Sequence, residues 1–196
     1  MGRPRRYEED TLLDAAQELF WARGYDRTSM EDVAGASGVG TSSLYAAYSS
    51  KLGLFLCVFR RYCEGRVEFV SEATAAPSPD LEAAAAQFLQ RVVDECGSAE
   101  DRRGCLMLNS IVELSERFPD VLETATATTT RMEDVLTAKF VRTARATGIE
   151  LGERDAREHA ERTVLASQGL IQLSRLHVPR ERLALLAERA AVARAS

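Results

Sequence analysis

The stretch from Thr28 to Lys51, TSMEDVAGASGVGTSSLYAAYSSK, constrains the fold more than any other part of the chain. It predicts two short helices crossing at a steep angle. Met30, Val33 and Ala34 form the apolar face of the first, Ser29 stands at its N-cap, and Asp32 three residues on makes an acidic variant of the capping box. Gly38 supplies the backbone freedom of a sharp turn, Val39 plugs the angle, and Leu44 marks the inner face of a second helix starting near Thr41. Ala34 is small where the two helices must approach closely. The result is the layout of a helix-turn-helix over about residues 29–48, whose second helix suits a DNA major groove. A helical hairpin in any all-α protein can show the same spacing, so charge and side-chain chemistry have to separate the two readings.

The local charge favours nucleic acid. From Val33 through Cys63 there is no Asp or Glu, while Lys51, Arg60 and Arg61 are present, and the opening MGRPRRY adds Arg3, Arg5 and Arg6. Residues 1–66 carry nine basic and nine acidic groups and residues 67–196 carry 16 and 21, so the net charge of −5 resides in the C-terminal part. An acidic chain is not a nucleic-acid binder by its overall charge. Phosphate contact acts over about a Debye length, ~8–10 Å, so the local distribution matters more.

Particular side chains then take roles. Tyr45 and Tyr48 each bring a phenolic hydroxyl able to bond a phosphate, and the Tyr45 ring also suits a thymine methyl, with core packing as the alternative for both. Lys51 opens the next helix, where its ammonium and the backbone N–H groups can hold one phosphate together. Thr28 and Ser29 stand at the N-terminus of the first helix and suit phosphate contact, although Ser29 serves equally well as a cap alone. Thr41, Ser42 and Ser43 are placed to reach base edges or the adjacent backbone. Arg5 and Arg6 either enter a minor groove or solvate a frayed end.

Along the whole chain the periodicity is helical and β-rich alternation is missing, which predicts an all-α fold of about nine helices. The first runs over about Tyr7–Arg23 with Leu12, Leu13, Ala16, Leu19 and Phe20 in one stripe, and Gly24 ends it. A fourth extends from Lys51 into the low seventies, and the two prolines of ATAAPSPD (73–80) break the chain before Asp80 caps a fifth. The fifth is expected to stop at Gly97, and the sixth to cover Cys105 to Arg117. A seventh is expected from Asp120 to Thr147, an eighth from Glu153 to Leu176 and a ninth from Pro179 to about Ala193.

Several function classes are excluded. No apolar run approaches the roughly 18–20 residues of a membrane span, and the basic-then-acidic N-terminus has no apolar segment of a secretory signal, so a cytoplasmic protein is expected. Cys57, Cys63, Cys96 and Cys105 lack metal-ligand spacing, and His159 and His177 are isolated, so no metal or other cofactor is expected. Paired carboxylates near a His, a nucleophile elbow and a P-loop are all missing, which argues against an enzyme. Cys105 follows Arg102 and Arg103 at a helix start, an arrangement that lowers a thiol pKa and suits a redox switch; the alternative is a small buried hydrophobe.

Residues from about Arg6 to Arg66 resemble the N-terminal domain of the TetR family of bacterial transcriptional regulators. The resemblance rests on DTLLDAAQELFWARGYDRTSM, EDVAGASGVGTSSLY and YSSKLGLF. Within these lie the family's glycine-aromatic pair (Gly24-Tyr25), its Leu-Tyr pair (Leu44-Tyr45) and its aromatic-x-x-Lys (Tyr48 to Lys51). Two departures stand out. Thr41 and Ser42 replace a frequent Lys or Arg and Gly, and Ala46 and Ala47 replace bulkier aromatic or His residues; both bear on base contacts rather than on the fold. The resemblance implies a helix-turn-helix domain over residues 6–66 and a helical ligand-binding and dimerisation domain over 80–196. It implies a dimeric repressor released from double-stranded operator DNA by a small-molecule effector. It also implies homodimer pairing through the helices at about 153–176 and 179–193. There Ala166, Ser167 and Gly169 are small, and Leu165, Leu170, Ile171, Leu173 and Leu176 offer apolar area; the alternative is that these helices only close the monomer's own core. The effector pocket is expected to draw on Phe59, Tyr62, Phe88, Met107, Asn109, Val112 and Gln168. An interaction module that keeps the fold without DNA binding is the rival reading.

Overall fold

The computed structural model of the chain describes residues 6–98 and 102–192, with side chains over 9–97 and 102–192. The described residues are helical, with nine helices: α1 (Arg6–Arg23), α2 (Met30–Ser37), α3 (Thr41–Tyr48), α4 (Lys51–Ala73), α5 (Leu81–Ser98), α6 (Leu106–Leu114), α7 (Pro119–Thr147), α8 (Glu153–Arg175) and α9 (Arg180–Ala191). They fall into two compact units. One runs up to Glu64 and includes Leu106–Ala125; the other comprises Gly65–Cys105 and the chain from Thr126 on. This division differs from a simple split at the 73–80 break, because α6 and the start of α7 group with α1–α3.

The reason lies in the first unit's core. Leu12, Leu13, Ala16 and Phe20 of α1 are buried as their periodicity requires, with Leu19 half-buried at the edge of the stripe. Phe20 meets Phe55 of α4 edge-on at 5.2 Å, Tyr25 meets Phe55 at 5.2 Å, and Phe118, beside α6, closes on Tyr25 at 5.4 Å. Such ring pairs each add about 0.5–1.5 kcal/mol beyond the area they bury. Polar contacts reinforce them. Glu113 of α6 accepts from the Tyr25 N–H at 2.9 Å and the Asp26 N–H at 3.3 Å, and Arg117 pairs with Asp26 at 2.7 Å. Gly24 ends α1 at φ +80°, and a Cβ there would stand 3.0 Å from the Glu113 carboxylate.

In the second unit α5 packs on α8 and α9, and α8 on α9. Phe88, Leu89, Val92 and Val93 of α5, Ala156, Ala160, Val164, Leu170 and Ile171 of α8, and Leu183 and Ala187 of α9 are buried. Gly97 does not end α5, which continues to Ser98; the Arg180 side chain packs beside it, 3.4 Å from where a Cβ would stand. The sixth helix ends three residues short of expectation, at Leu114, because the Arg117 and Phe118 N–H groups both turn back to the Leu114 carbonyl. Pro119 then opens α7, where its missing N–H costs nothing. Lys139 is buried on α7 and donates to the Ala76 carbonyl in the proline break, and burial holds its pKa below the usual lysine value. Among the described residues no helix is long and apolar enough to cross a membrane.

Candidate nucleic-acid interface

The helix-turn-helix forms as its local chemistry requires. Ser29 Oγ accepts from the Asp32 N–H at 3.0 Å, and Asp32 Oδ2 accepts from the Ser29 N–H at 2.8 Å, a complete capping box. The Ser29 hydroxyl, which donates to Asp32 Oδ2 at 2.6 Å, and after it the Ser29 N–H hold the Asp32 carboxyl below the usual carboxylate range. Gly38 adopts φ +72° and donates to the Ala34 carbonyl, reversing the chain into α3. Leu44 is fully buried, so the opposite side of α3 faces outward. That outer surface consists of Ser42, Ser43, Tyr45, Ala46 and Ala47, with Thr41 and Tyr48 half-buried at its margins.

Tyr45 is 47% exposed and stands clear of the core. Tyr48 is half-buried, and burial pushes its phenol up to about 12, with Cys57 and Glu9 adding to the effect. Its hydroxyl therefore keeps its proton and remains a donor at neutral pH. Lys51 is only partly available: Nζ donates to the Tyr25 carbonyl at 3.0 Å and lies 4.2 Å from the Tyr25 ring centroid. It ties the start of α4 to the corner after α1, with further ammonium hydrogens left over for an anion.

Thr28 departs from expectation. It is 1% exposed, and its hydroxyl donates to the Gly24 carbonyl at 2.8 Å, so it braces the α1–α2 corner from inside and offers nothing to a phosphate. Ser29 acts as a cap. The charge attributed to Arg60 and Arg61 is likewise spent internally, since Arg60 pairs with Asp120 at 3.0 Å and Arg61 pairs with Asp14. Arg27 was passed over in the sequence because no pattern singles it out. It is exposed in the turn before α2, with Nε donating to the Arg23 carbonyl at 2.9 Å. Arg5 and the side chain of Arg6 lie outside the described residues.

Of the residues expected to line an effector pocket, Phe59, Tyr62, Met107, Asn109 and Val112 belong to the first unit and Phe88 and Gln168 to the second. Phe59, Phe88 and Met107 are packed core, and Tyr62 is buried with its hydroxyl accepting from the Leu106 N–H at 3.3 Å. Val112 is 88% exposed, the reverse of a pocket wall: it lies on the outer face of α6, opposite Ser110 and Leu114. Asn109 and Gln168 are half-buried. A groove of about 700 Å³ in the second unit is lined by α7, α8 and the loop between them, including Val141 of α7 and Ile149 and Leu151 of the loop. Cys105 is buried, which shields the thiol from soluble oxidants and supports the small-hydrophobe alternative.

A buried-edge helix α3 with an open outer face, held by a glycine turn and a capping box, defines a helix-turn-helix DNA-binding regulator. Residues 12–58 match the family model of bacterial regulatory proteins, tetR family, and residues 79–190 match that of the tetracyclin repressor-like C-terminal domain. The HTH-type transcriptional repressor ComR of Escherichia coli is 32% identical over 123 residues, 63% of this chain and 59% of ComR; the match thus spans about three fifths of that relative. The HTH-type transcriptional activator FasR of Mycolicibacterium smegmatis is 40% identical over 70 residues, 36% of this chain and 32% of FasR. Among solved structures, a cysteine mutant of the TetR family transcriptional regulator CifR, complexed with double-strand operator DNA, superimposes with a TM-score of 0.80. It is 29% identical over 96% of this chain and 98% of that one. The chain belongs to the TetR family of bacterial transcriptional regulators and is not an enzyme.

Proposed function

We propose that the chain acts in the cytoplasm as a homodimeric repressor that leaves its operator when a small molecule binds the helical body. The observation that carries the dimer is the outer face of α8 and α9. Leu165 is 70% exposed and Leu176 73%, and Leu185 and Val192 are also open. Gly169 sits between Leu165 of α8 and Leu176 at its C-cap, small enough for a second copy to approach. Leu170 and Ile171, expected in the same role, are buried in the monomer core and are not available for it. Two copies pairing there would present two α3 helices to successive half-sites, which a single short helix needs to gain affinity.

Repression is supported by the names of relatives such as ComR, while FasR, named an activator, supports the second reading for the sign of control. For release, the Glu113 clamp provides a mechanical route. The α6 carboxylate holds the backbone that positions α2, so a ligand that shifts α6 moves the DNA-reading helices. The test joins sedimentation with operator binding for wild type and Leu165→Arg, using DNA flanking the gene, and a reporter under that DNA. A wild-type dimer, a monomeric variant that has lost binding, and a reporter that rises when the gene is deleted bear the reading out. A Leu165→Arg chain that stays dimeric and bound refutes the interface, and a reporter that falls on deletion refutes repression.

A further inference from the structure

The outer face of α3 carries a chemical signature of its own. From Val33 to Ser50 the chain holds no charged side chain, and no Asn or Gln either. The groups that recognise guanine through a bidentate guanidinium or ammonium, adenine through an amide, and cytosine through a carboxylate are therefore all missing from the helix that faces the major groove. In their place stand two serines, two alanines and a tyrosine. Ser42 and Ala46 are one turn apart, as are Ser43 and Ala47, so the helix presents a serine-then-alanine pair along each of two adjacent rows. All four are exposed, and among the described residues neither serine hydroxyl has a protein partner.

Small side chains have a second consequence. Tyr45 is the one long side chain on this face, so with its ring turned along the groove the Ala46 and Ala47 methyls and the flank of that ring can come into direct contact with base edges. The one apolar group on those edges is the thymine C5-methyl. Serine hydroxyls both donate and accept and so discriminate weakly, which leaves methyl contact as the discriminating term.

Building on operator binding as proposed above, we infer that α3 reads its half-site through thymine C5-methyl groups, with Ala46, Ala47 and Tyr45 as the specificity-determining residues. Affinity comes from phosphate contacts elsewhere, of which Arg27 and the Tyr45 hydroxyl are the exposed candidates. The two departures from the family pattern at Thr41-Ser42 and Ala46-Ala47 then make one device, in which long polar readers are exchanged for close apolar contact.

The experiment selects a binding site for the full chain from a random duplex library and then edits single bases in it. Deoxyuridine in place of thymidine removes only the methyl and leaves every hydrogen-bonding group. Losing one buried methyl contact lowers affinity by about four-fold, and the same edit in both half-sites by about fifteen-fold. The inference expects such losses at one or two thymines per half-site, and little change when guanines are replaced by 7-deazaguanine, which lacks the N7 acceptor. It expects Ala46→Ser or Ala47→Ser, both compatible with an exposed helix position, to shrink the penalty at one thymine while sparing the others. Indifference to deoxyuridine at every position, or a dominant 7-deazaguanine effect, overturns methyl readout while leaving operator binding intact. Failure to enrich any sequence overturns operator binding and methyl readout together.

Discussion

Gly53 controls how closely α3 and α4 meet, and replacing it with alanine exposes the energetics of that junction. After α3 ends at Tyr48, Ser49 takes φ +66° and Ser50 caps α4 by accepting from the Gly53 N–H at 3.0 Å. The Tyr48 carbonyl also accepts from the Ser50 N–H at 2.8 Å. It lies so close to Gly53 that an added Cβ would stand 2.1 Å from the oxygen, whereas real Cβ atoms stay at least 3.0 Å away. The two helices must therefore separate by nearly an ångström, and the atom that has to move is backbone at the end of the DNA-reading helix. Overpacking of this kind costs about 1–3 kcal/mol, against a gain of about 0.8–1.0 kcal/mol from placing alanine rather than glycine in a helix. Gly65 in the same helix is the control, because a Cβ there meets nothing within 4 Å. Gly65→Ala should raise the melting temperature by about 2–4 °C, while Gly53→Ala should lower it or at best leave it flat and should also weaken operator binding through a tilted α3. Circular-dichroism melts and fluorescence anisotropy on the two variants decide it. A Gly53→Ala protein as stabilised as Gly65→Ala, with unchanged affinity, would refute the close-approach argument.

Other perturbations test the remaining corners of the head. Thr28→Val removes the hydroxyl that donates to Gly24 and should cost about 1–2 kcal/mol in urea unfolding with little change in affinity per folded molecule; lost affinity at unchanged stability would put Thr28 on DNA after all. Tyr45→Phe should weaken the operator complex about ten-fold if its hydroxyl bonds a phosphate, and an unaltered isotherm would show that it does not. The Asp32 and Asp26 carboxyls are both held below the usual range, by the Ser29 hydroxyl bond first and by the Arg117 hydrogen bond first, respectively. Because these folded-state values lie below the unfolded ones, their contribution is complete above about pH 4 and fades as pH falls through the lowered values. Stability profiles in acid should accordingly flatten in Asp32→Asn and Asp26→Asn, and curves parallel to wild type would contradict the assignment.

Much of this protein is legible in residues no more than four apart. The Ser29–Asp32 box, the turn at Gly38, the stop at Gly24 and the apolar stripe of α1 are local bargains between a side chain and the backbone beside it, so helix order and the helix-turn-helix follow from the sequence by itself. Two local signals point elsewhere than the structure: Gly97 stays helical beside the distant Arg180, whereas the Thr28 hydroxyl turns inward to the Gly24 carbonyl only four residues back, because the corner between α1 and α2 buries it. Only the tertiary structure decided that α6 joins the DNA-reading head, since its anchor is a bond between Tyr25 and Glu113, 88 residues apart. The same holds for Val112, which helical periodicity alone does not orient, and for Gly53, whose need for the missing Cβ appears only when the Tyr48 carbonyl is in place above it. Hydrogen bonding and periodicity act within a turn of helix and leave their mark in the order of residues; packing brings together atoms whose separation along the chain carries no information about their distance in space.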